Sequence, residues 1–445
     1  MSVLAPPEPI AVERIRRDLP GTATVLRVEL AKLREQLAMR VLLAVCVLAP
    51  LGFATVMRIQ GAVPADTLFG RWAKTTGFAS PLTVLGFAGS WGFPLLAGIV
   101  AGDMFSSEDR YGTWKTLLTR SCSRGVVFAG KGLAACVCAI VGVCVLALSG
   151  LVSSVLLVDT DPLVGLSGQL VSPGRAVALV LSSWAYSLLP VLSFVALGLM
   201  LSVVTRSGIA GVLGPPVVAL VMQLLTLLGP GEIVRAVLPT TPFDGWHGLF
   251  VEPVHARPVF QGAETSIVYT GVFLAVAWHV FSRRAIAGSE AVPHRRRQVQ
   301  LRTAIGATAV VVLLAAGSGW GPTDITAKRL ERTITPTFER LVVLQYRWRT
   351  DRDPGNATLH AITTCRRGGG SRPARGAGDD WTCVVKLVSP ELTAKSMTLD
   401  LTVRPNGCYT AQAPPSIIGP LVLRDARGKA FVNPLFAFDG CFGTT

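Results

Sequence analysis

The feature that most restricts the fold of this chain is a set of long stretches without a single charged residue. Residues 132–158 and 176–205 contain no Asp, Glu, Lys or Arg. A helix of about 20 apolar residues is long enough to cross the hydrocarbon core of a bilayer. Hydrophobic residues make up 50% of the chain, charged residues 16%, and the mean hydropathy is +0.51. Both stretches therefore predict membrane spans in an α-helical polytopic protein.

The same criterion, applied along the whole chain, predicts seven membrane spans. They lie at about residues 41–57, 81–102, 132–158, 176–205, 207–228, 265–282 and 303–321. About forty residues precede the first span, several of them charged and none resembling a cleavage site. We therefore expect the N-terminal segment to stay attached.

The distribution of Lys and Arg predicts the orientation of the spans, because positive residues beside a span resist translocation. With a cytoplasmic N-terminus, the cytoplasmic segments carry 19 Lys and Arg residues and the opposite connections carry 6. The N-terminus is thus predicted inside and the segment after the seventh span outside. Arg outnumbers Lys by 34 to 8, which favours a GC-rich bacterium, so a multi-pass protein of the bacterial plasma membrane is expected.

The net charge of +15 could also indicate a nucleic-acid-binding protein. The cytoplasmic basic residues lie beside spans, however, including HRRRQVQLR at 294–302. Positive-inside bias and attraction to anionic lipid account for them there. The expected partner is a lipid membrane and not nucleic acid.

Residues 125–132 read GVVFAGKG, which lacks one hydroxyl of a phosphate-binding loop. Such a loop needs glycines whose backbone N–H groups hold the phosphates, a Lys, and a Ser or Thr for Mg²⁺. Gly125, Gly130 and Lys131 fit, but Gly132 occupies the hydroxyl position. The segment also stands at the mouth of a predicted span, with no strand before it. We therefore predict that the chain is not itself an ATPase or other enzyme, and we expect no cofactor.

The connection between the second and third spans has the pattern of a short amphipathic helix. Ser106 and Asp109 form a capping-box-like start, and acidic residues favour a helix N-terminus. Apolar side chains then recur at helical spacing at Tyr111, Trp114, Leu117 and Leu118. A helix on the cytoplasmic membrane surface is predicted here.

Residues in and after this connection also resemble a known family. The set consists of Glu108, Gly112, Thr113, Leu117, Leu118, Arg124, Gly130 and Lys131. Their order is similar to that in the permease subunits of type 2 ABC exporters. RVELAKLREQLAMR at 27–40, with an apolar side of Leu26, Leu30, Leu33 and Leu37, is similar to that family's N-terminal interfacial helix. The resemblance covers roughly residues 20–285 and departs at Ser121, where the family commonly has a proline.

The resemblance implies a coupling helix at about 106–124 that docks on a separate ATPase subunit; the alternative is an ordinary loop helix on the membrane surface. The implied coupling residues are Glu108, Arg110, Gly112, Thr113, Leu117, Leu118 and Arg124. No predicted span has an interior Asp, Glu, Lys or Arg, so ion-coupled transport is not expected. An ATP-driven exporter is the expected function. The alternative is a membrane-anchored envelope sensor or assembly protein that acts through its C-terminal domain.

The family also implies a homodimer, or a heterodimer with a related permease, since one six-span bundle forms half of a central pathway. Small residues would allow close approach of helices at such an interface, or would be simple packing residues. They are Gly198, Ser202, Gly208, Gly211 and Gly214.

Between the fifth and sixth spans, a Pro-rich segment with Phe243, Trp246 and Phe250 predicts short re-entrant or interfacial helices. His247 and His255 there have no Cys or carboxylate at ligand spacing, so no metal site is expected.

Beyond residue 321 the apolar runs end and short β-rich segments begin. They read LVVLQYRW (341–348), ATLHAITTC (357–365), WTCVVKLV (381–388), MTLDLTVR (397–404) and GPLVLRDARGKAFV (419–432). A small β-rich domain is predicted, in which GGGSRPARGAGDD (368–380) is a flexible loop.

Four cysteines of this domain predict two disulfides, because an even number is expected in an oxidising compartment. Of three possible connectivities we favour Cys365 with Cys383 and Cys408 with Cys441.

The predicted boundaries are 1–40 for the cytoplasmic N-terminal segment, 41–284 for the six-span permease domain, 285–302 for a basic linker, 303–321 for the seventh span and 322–445 for the extracytoplasmic domain.

Overall fold

The structure is a computed structural model that describes most of the chain. The described residues are 21–59, 69–114, 116–117, 123–158, 160–227, 238–284, 325–352, 360–388, 396–404, 407–428 and 430–442. The predicted basic linker (285–302) and seventh span (303–321) lie outside them, as does Leu118.

The first helix, α1 (Thr22–Glu35), precedes the spans and buries Val25, Glu29 and Leu33. These residues are four apart and therefore share one face. The apolar side predicted from the leucines is rotated from this buried face, since Leu26 and Leu30 are half-buried and Leu37 is 75% exposed. A carboxylate thus lies on the buried face, where it requires a partner.

Within the described ranges, six helical segments are long and apolar enough to cross a membrane. They are α2 (Leu37–Ile59), the run of α3 (Ala79–Phe87), α4 (Phe93–Ala101) and α5 (Ser106–Tyr111), then α6 (Arg124–Leu157), α7 (Pro173–Thr205), α8 (Gly208–Leu227) and α9 (Ala256–Ser282). A π-helical turn at Ala88–Gly92 joins α3 to α4. Six of the seven predicted spans are therefore confirmed as helices.

Small residues bring α4, α7 and α8 into close contact at the end of the bundle that carries α1, which we call the α1 end. A Cβ on Gly211 would lie 2.2 Å from the carbonyl oxygen of Gly102. The hydroxyl of Ser202 accepts a hydrogen bond of 3.1 Å from the backbone N–H of Ser106. Close contacts within the chain also surround Gly198, Gly208 and Gly214. The small residues singled out in the sequence thus pack helices of one subunit.

The opposite end of the bundle, which we call the β-domain end, is closed by connections between spans. They include the hairpin of β1 (Leu163–Val164) and β2 (Leu170–Val171) and a 3₁₀-helix at Thr241–Phe250. Trp246 and Phe250 of the 3₁₀-helix are fully buried, and the Phe250 ring lies 4.9 Å from that of Phe69. The aromatic residues of the predicted irregular segment are therefore shielded inside protein, as that environment requires.

The C-terminal domain combines a long helix, α10 (Ala327–Thr350), with an antiparallel five-stranded sheet. The sheet contains β3 (His360–Arg367), β4 (Gly378–Val388), β5 (Ser396–Val403), β6 (Cys408–Gln412) and β9 (Ala437–Cys441), in the order β3-β4-β5-β6-β9. Helix α11 (Pro415–Ile418) and a hairpin of β7 (Val422–Arg424) and β8 (Ala430–Val432) complete it. The predicted β-rich domain is confirmed, and we call it the β domain.

Two details of that prediction are wrong. The segment 341–348, expected as a strand, lies in α10, because its buried Leu341 and Leu344 continue a helical stripe that starts at Leu330. An eight-residue window is too short to distinguish the two periods. The expected flexible loop at 368–380 is held against the start of α10, where the N–H of Gly376 donates to the Ile325 oxygen over 3.0 Å.

Both disulfides join cysteines that face each other across neighbouring strands. Cys365 and Cys383 are paired between β3 and β4, and Cys408 and Cys441 between β6 and β9. This is the connectivity favoured from the sequence. Each bond fixes the register of two strands that are already adjacent.

The β domain packs directly on the β-domain end of the bundle. A buried ion pair joins Arg71, just before α3, to Asp439 of β9 over 2.5 Å. Nearby, the rings of Trp72 and Trp348 contact edge to face, 5.9 Å apart. These contacts attach the domain to the loops between spans.

Candidate functional site

Four charged side chains meet inside the protein at the α1 end, and we call them the charge cluster: Glu29, Lys32, Glu108 and Lys131. The ammonium group of Lys131 lies 3.0 Å from the Glu29 carboxylate and 3.1 Å from that of Glu108. Lys32 contacts the same two carboxylates at 3.1 and 3.0 Å. Each cation therefore bridges both anions. Since Lys131 is only 1% exposed, the cluster is a joint inside the fold.

The cluster connects three segments that are distant in sequence. Glu29 and Lys32 come from α1, Glu108 from α5, and Lys131 from the first turns of α6. Helix α1 approaches α6 closely because Gly130 has no side chain: a Cβ there would lie 2.5 Å from Val25 Cγ1. The glycine thus positions Glu29 next to Lys131.

A tight turn after α5 holds Glu108 in place. Gly112 ends the helix in the left-handed conformation (φ 65°), which glycine adopts without steric cost. The chain then returns so that Thr113 N–H donates to the Glu108 carbonyl over 3.1 Å, and the Thr113 hydroxyl donates to the Glu108 carboxylate. The Gly-Thr pair therefore orients the glutamate four residues before it.

Burial makes the pairing of these charges essential. An unpaired buried charge costs several kcal/mol, and removal of one partner of a buried pair costs about 3–5 kcal/mol. The half-exposed Lys32 shows how burial and pairing compete. Partial burial lowers the pKa of its amine, but the Glu29 and Glu108 carboxylates raise this pKa by more, so it lies above its usual range. The amine stays charged in the cluster.

A second buried contact fixes the residue next to Glu108. Asp109 lies 2.9 Å from the guanidinium of Arg284, which follows α9, and accepts a hydrogen bond of 3.0 Å from the Trp114 indole. Arg284 is 5% exposed and also donates to the carbonyl of Val203 in α7. The neighbouring residues Glu108 and Asp109 thus attach α5 to two different parts of the bundle.

An aromatic cluster lies beside these charges. The Phe105 ring lies 6.1 Å from that of Trp114 and 5.3 Å from that of Phe281, and Phe128 and Trp278 complete the set with contacts of 5.3 to 5.8 Å. Such ring pairs contribute about 0.5–1.5 kcal/mol each beyond the area that they bury. The connection after α5 is therefore anchored by apolar packing as well as by ion pairs.

A comparison with family models matches residues 25–226 to the ABC-2 family transporter protein. This range contains the whole charge cluster and the first five spans. Residues 25–226 of this chain are therefore similar to the ABC-2 transporter family. A search of curated proteins found no match at the significance required. The resemblance seen in the sequence is thus confirmed over residues 25–226, and it supports a permease role for the membrane part.

The predicted coupling helix at about 106–124 is not one continuous helix. Helix α5 ends at Tyr111, and helical backbone resumes at Trp114. The hydroxyl of Ser106 bonds to Asp103 over 2.8 Å and caps no helix N-terminus, so the capping-box expectation is wrong. The left-handed turn at Gly112 is the physical cause of the break.

The structure separates the implied coupling residues into buried and exposed ones. Glu108 is buried and faces the cluster, whereas Arg110 and Gly112 are exposed. Thr113 and Leu117 are half-buried. Arg124 donates to the Ser282 carbonyl at the end of α9, so it joins two spans. The described contacts of Glu108 and Arg124 are therefore with other residues of this chain.

The segment GVVFAGKG forms no phosphate-binding loop. Residues 125–132 are helical and belong to α6, so their backbone N–H groups point along the helix. Lys131, in the first turns of α6, is buried inside the protein. At about 1.5 Å per residue, the 34 residues of α6 exceed the hydrocarbon thickness of about 30 Å. The first turns, with Lys131, can therefore lie at the membrane boundary.

Five residues of the site were not among the implied coupling residues. They are Glu29, Lys32, Lys131, Asp109 and Arg284, of which Lys131 belongs to the family pattern and Asp109 to the predicted helix start. One sequence signal was available for Glu29, which lies four residues from both Val25 and Leu33, on what proves to be a buried face. An acidic residue on a buried face requires a cation, but the sequence does not reveal which one.

Proposed function

We propose that this chain is the membrane-spanning subunit of an ATP-driven ABC exporter, which a separate ATPase subunit drives by alternating access. The match to the ABC-2 transporter family supports this proposal. The helical conformation of residues 125–132 also supports it, since nucleotide binding then falls to a partner. In this proposal the protein lies in a bacterial plasma membrane with the α1 end in the cytoplasm and the β domain outside.

The ATPase contacts the exposed side of the turn after α5 in this proposal. Arg110, Tyr111, Gly112 and Thr116 are exposed there, and the Tyr111 side chain is a large aromatic group at 72% exposure. The Arg110 guanidinium lies 5.1 Å from the centre of the Tyr111 ring, and its charge pairs with Asp103 at 2.9 Å. Tyr and Arg side chains are enriched where partner proteins bind.

The charge cluster transmits the movement in this proposal, and the bridge from Lys131 to Glu29 and Glu108 is the observation that carries it. A push on the turn would displace Glu108 and Asp109 together. Glu108 would move α1 and α6 through Lys131, and Asp109 would move the end of α9 through Arg284. A rigid, fully paired joint passes such a displacement on without first deforming.

A second subunit completes the pathway in this proposal, as a homodimer or as a heterodimer with a related permease. Helix α8 presents several large apolar side chains at its surface: Ile209, Leu213, Val217, Val221 and Leu224. Lipid and a second subunit are both apolar enough to cover them. The small residues make their described contacts within this chain. They therefore do not distinguish between lipid and a second subunit as the neighbour of α8.

Co-purification tests the proposal most directly. The full chain, expressed with the ABC ATPase encoded nearest to its gene, should pull down that ATPase. Tyr111→Ala and Arg110→Glu should each reduce the recovered ATPase at least tenfold. Tyr346→Ala and Arg349→Ala are matched controls, since both residues are exposed on α10 and should leave recovery unchanged.

Transmission and docking are separable in the same system. Lys32 is 48% exposed at its side chain, so Lys32→Met should fold and still bind the ATPase. It should nevertheless lower the stimulation of ATPase activity by the reconstituted permease. Absence of any ATPase partner, or nucleotide cleavage by the purified chain alone, would refute the proposed function.

The alternative function is an envelope sensor or assembly protein that acts through the β domain. The buried pair between Arg71 and Asp439 favours it, because the pair links the domain to the spans. This alternative expects no ATPase partner and a cellular function that survives Tyr111→Ala. Retention of function in that variant would favour the sensor.

A further inference from the structure

A cleft lies where the β domain meets the loops of the bundle. Its volume is about 160 Å³, and Arg329, Arg332 and Arg340 of α10 line one wall. The opposite wall includes Ser167 and Glu252 from connections between spans. A single water molecule needs only about 10–15 Å³ by the same measure. The cleft therefore has room for a polar group much larger than water.

Helix α10 separates its charges between two faces. Its carboxylates are used on the sheet: Glu331 accepts the Cys365 N–H over 2.9 Å, and Glu339 accepts the Ala361 N–H over 2.7 Å. Both bonds cap the edge strand β3, so these acids do not line the cleft. The cleft side of the helix carries the three arginines, together with Thr333 and Thr337. Among the described residues that line the cleft, only Glu252 brings a negative charge.

Two of the guanidinium groups, those of Arg332 and Arg340, have N–H donors without an acceptor among the described residues. Arg340 makes one bond, of 3.3 Å, to the Ser167 carbonyl. Arg332 is exposed and makes no hydrogen bond or ion pair within the described part of the chain. A guanidinium has five N–H donors in a planar fork that matches the oxygens of phosphate and carboxylate. The cleft thus offers more donors than its own walls accept.

The two walls of the cleft are held in a fixed relation. The pair of Arg71 and Asp439 joins the domain to the bundle. Cys441, which lines the cleft next to Phe442, is tied to Cys408 by a disulfide. A preformed cleft at a junction of two domains is a common location for ligand sites, since little ordering is then required on binding.

We propose that this arginine cleft binds an anionic phosphate group. Arg332 and Arg340 supply the fork-shaped donors, Arg329 adds positive charge, and Glu252 on the opposite wall weakens the binding of anions. The phosphate belongs either to a free phosphate compound or to the headgroup of an anionic lipid. The proposal does not depend on the proposed transport function, because it concerns only the junction with the β domain.

Binding to the full-length protein in nanodiscs tests the cleft. Inorganic phosphate is titrated by calorimetry in phosphatidylcholine nanodiscs, with chloride of equal ionic strength as the control. Native mass spectrometry then measures retention of phosphatidylglycerol against phosphatidylcholine. Specific binding in either arm supports the proposal, and the arm that responds identifies the source of the phosphate. No binding above the controls in both arms would overturn it.

Variants assign the binding to the cleft. Arg332→Gln combined with Arg340→Gln should weaken binding at least tenfold, whereas Arg349→Gln, an exposed arginine of α10 outside the cleft, should leave it unchanged. Glu252→Gln should tighten binding about twofold to fivefold, because it removes the opposing charge. If the double variant fails to fold, the single Arg332→Gln serves, since that side chain makes no hydrogen bond or ion pair among the described residues. If either of these Arg332 variants binds phosphate or phosphatidylglycerol as tightly as the wild type does, the proposal is overturned.

Discussion

The two ends of the bundle each contain a buried ion pair, but only one of them is fully partnered. At the α1 end, Lys131 contacts two carboxylates, and both of these also contact Lys32. At the β-domain end, Arg71 forms an ion pair with Asp439, and its Nε and one Nη have no hydrogen-bond partner among the described residues. Buried donors without partners reduce what a pair contributes to stability. The charges at the α1 end are therefore the better paired ones, and we expect the attachment of the β domain to be the weaker contact.

The largest expected effect is that of Lys131→Met. The variant leaves two buried carboxylates with only the half-exposed Lys32 between them, so the expected cost is about 3–5 kcal/mol of stability. Thermal denaturation and yield in detergent measure this loss. Lys32→Met is the control and should cost roughly 1 kcal/mol, because Lys131 still pairs both acids. Equal losses in the two variants would show that burial does not distinguish the lysines.

Arg71→Met is expected to have a smaller effect, about 2–3 kcal/mol. Asp439 loses its cation but keeps the hydrogen bond from the Thr410 hydroxyl at 2.7 Å, and the unpartnered donors of Arg71 are removed at the same time. The β domain should detach and become sensitive to limited proteolysis, while the spans stay folded. A loss as large as that of Lys131→Met would contradict the ranking of the two ends.

Gly130→Ala tests the approach of α1 to α6. The new Cβ would lie 2.5 Å from Val25 Cγ1, so the variant should be destabilised by about 1–2 kcal/mol. Val25→Ala in the same chain should restore much of this loss. Gly132→Ala is the matched control, since the nearest atom there is 4.0 Å away. Equal melting temperatures for the two glycine variants would show that the contact is not tight.

The smallest effect concerns pH at the β-domain end. Burial of His247 lowers the pKa of its imidazole to about 4, with Arg404 adding to this and Asp244 opposing it. The unfolded chain therefore takes up a proton near pH 6.5, whereas the folded protein does not. Stability is fully present above pH 6.5 and is lost as the pH falls toward 4.

From pH 7 to pH 6 this loss amounts to roughly 0.7 kcal/mol. Melting curves at several pH values for the wild type and His247→Gln isolate it, because the variant lacks the titrating group. As the pH falls, the free energy of unfolding of the wild type should decrease relative to that of the variant. A constant difference would exclude His247 as the source.

The site could be predicted in outline from the order of Glu108, Gly112, Thr113 and Lys131, which pointed to the correct family. The direction in which the site residues face could not be predicted. Glu108 was expected to act toward a partner, yet it is buried against α1 and α6. A pattern within one segment indicates which residues share a face, but not which distant segment covers that face.

The sequence by itself determined the six spans and the β-rich character of the C-terminal domain. Both depend on local properties: the transfer of an apolar stretch into lipid and the short period of strands between turns. The tertiary structure alone decided that Lys131 bridges Glu29 and Glu108, that 341–348 is helical, and that arginines of α10 face the loops of the bundle. These features depend on contacts between residues far apart in sequence, whose energies exist only once the chain has folded.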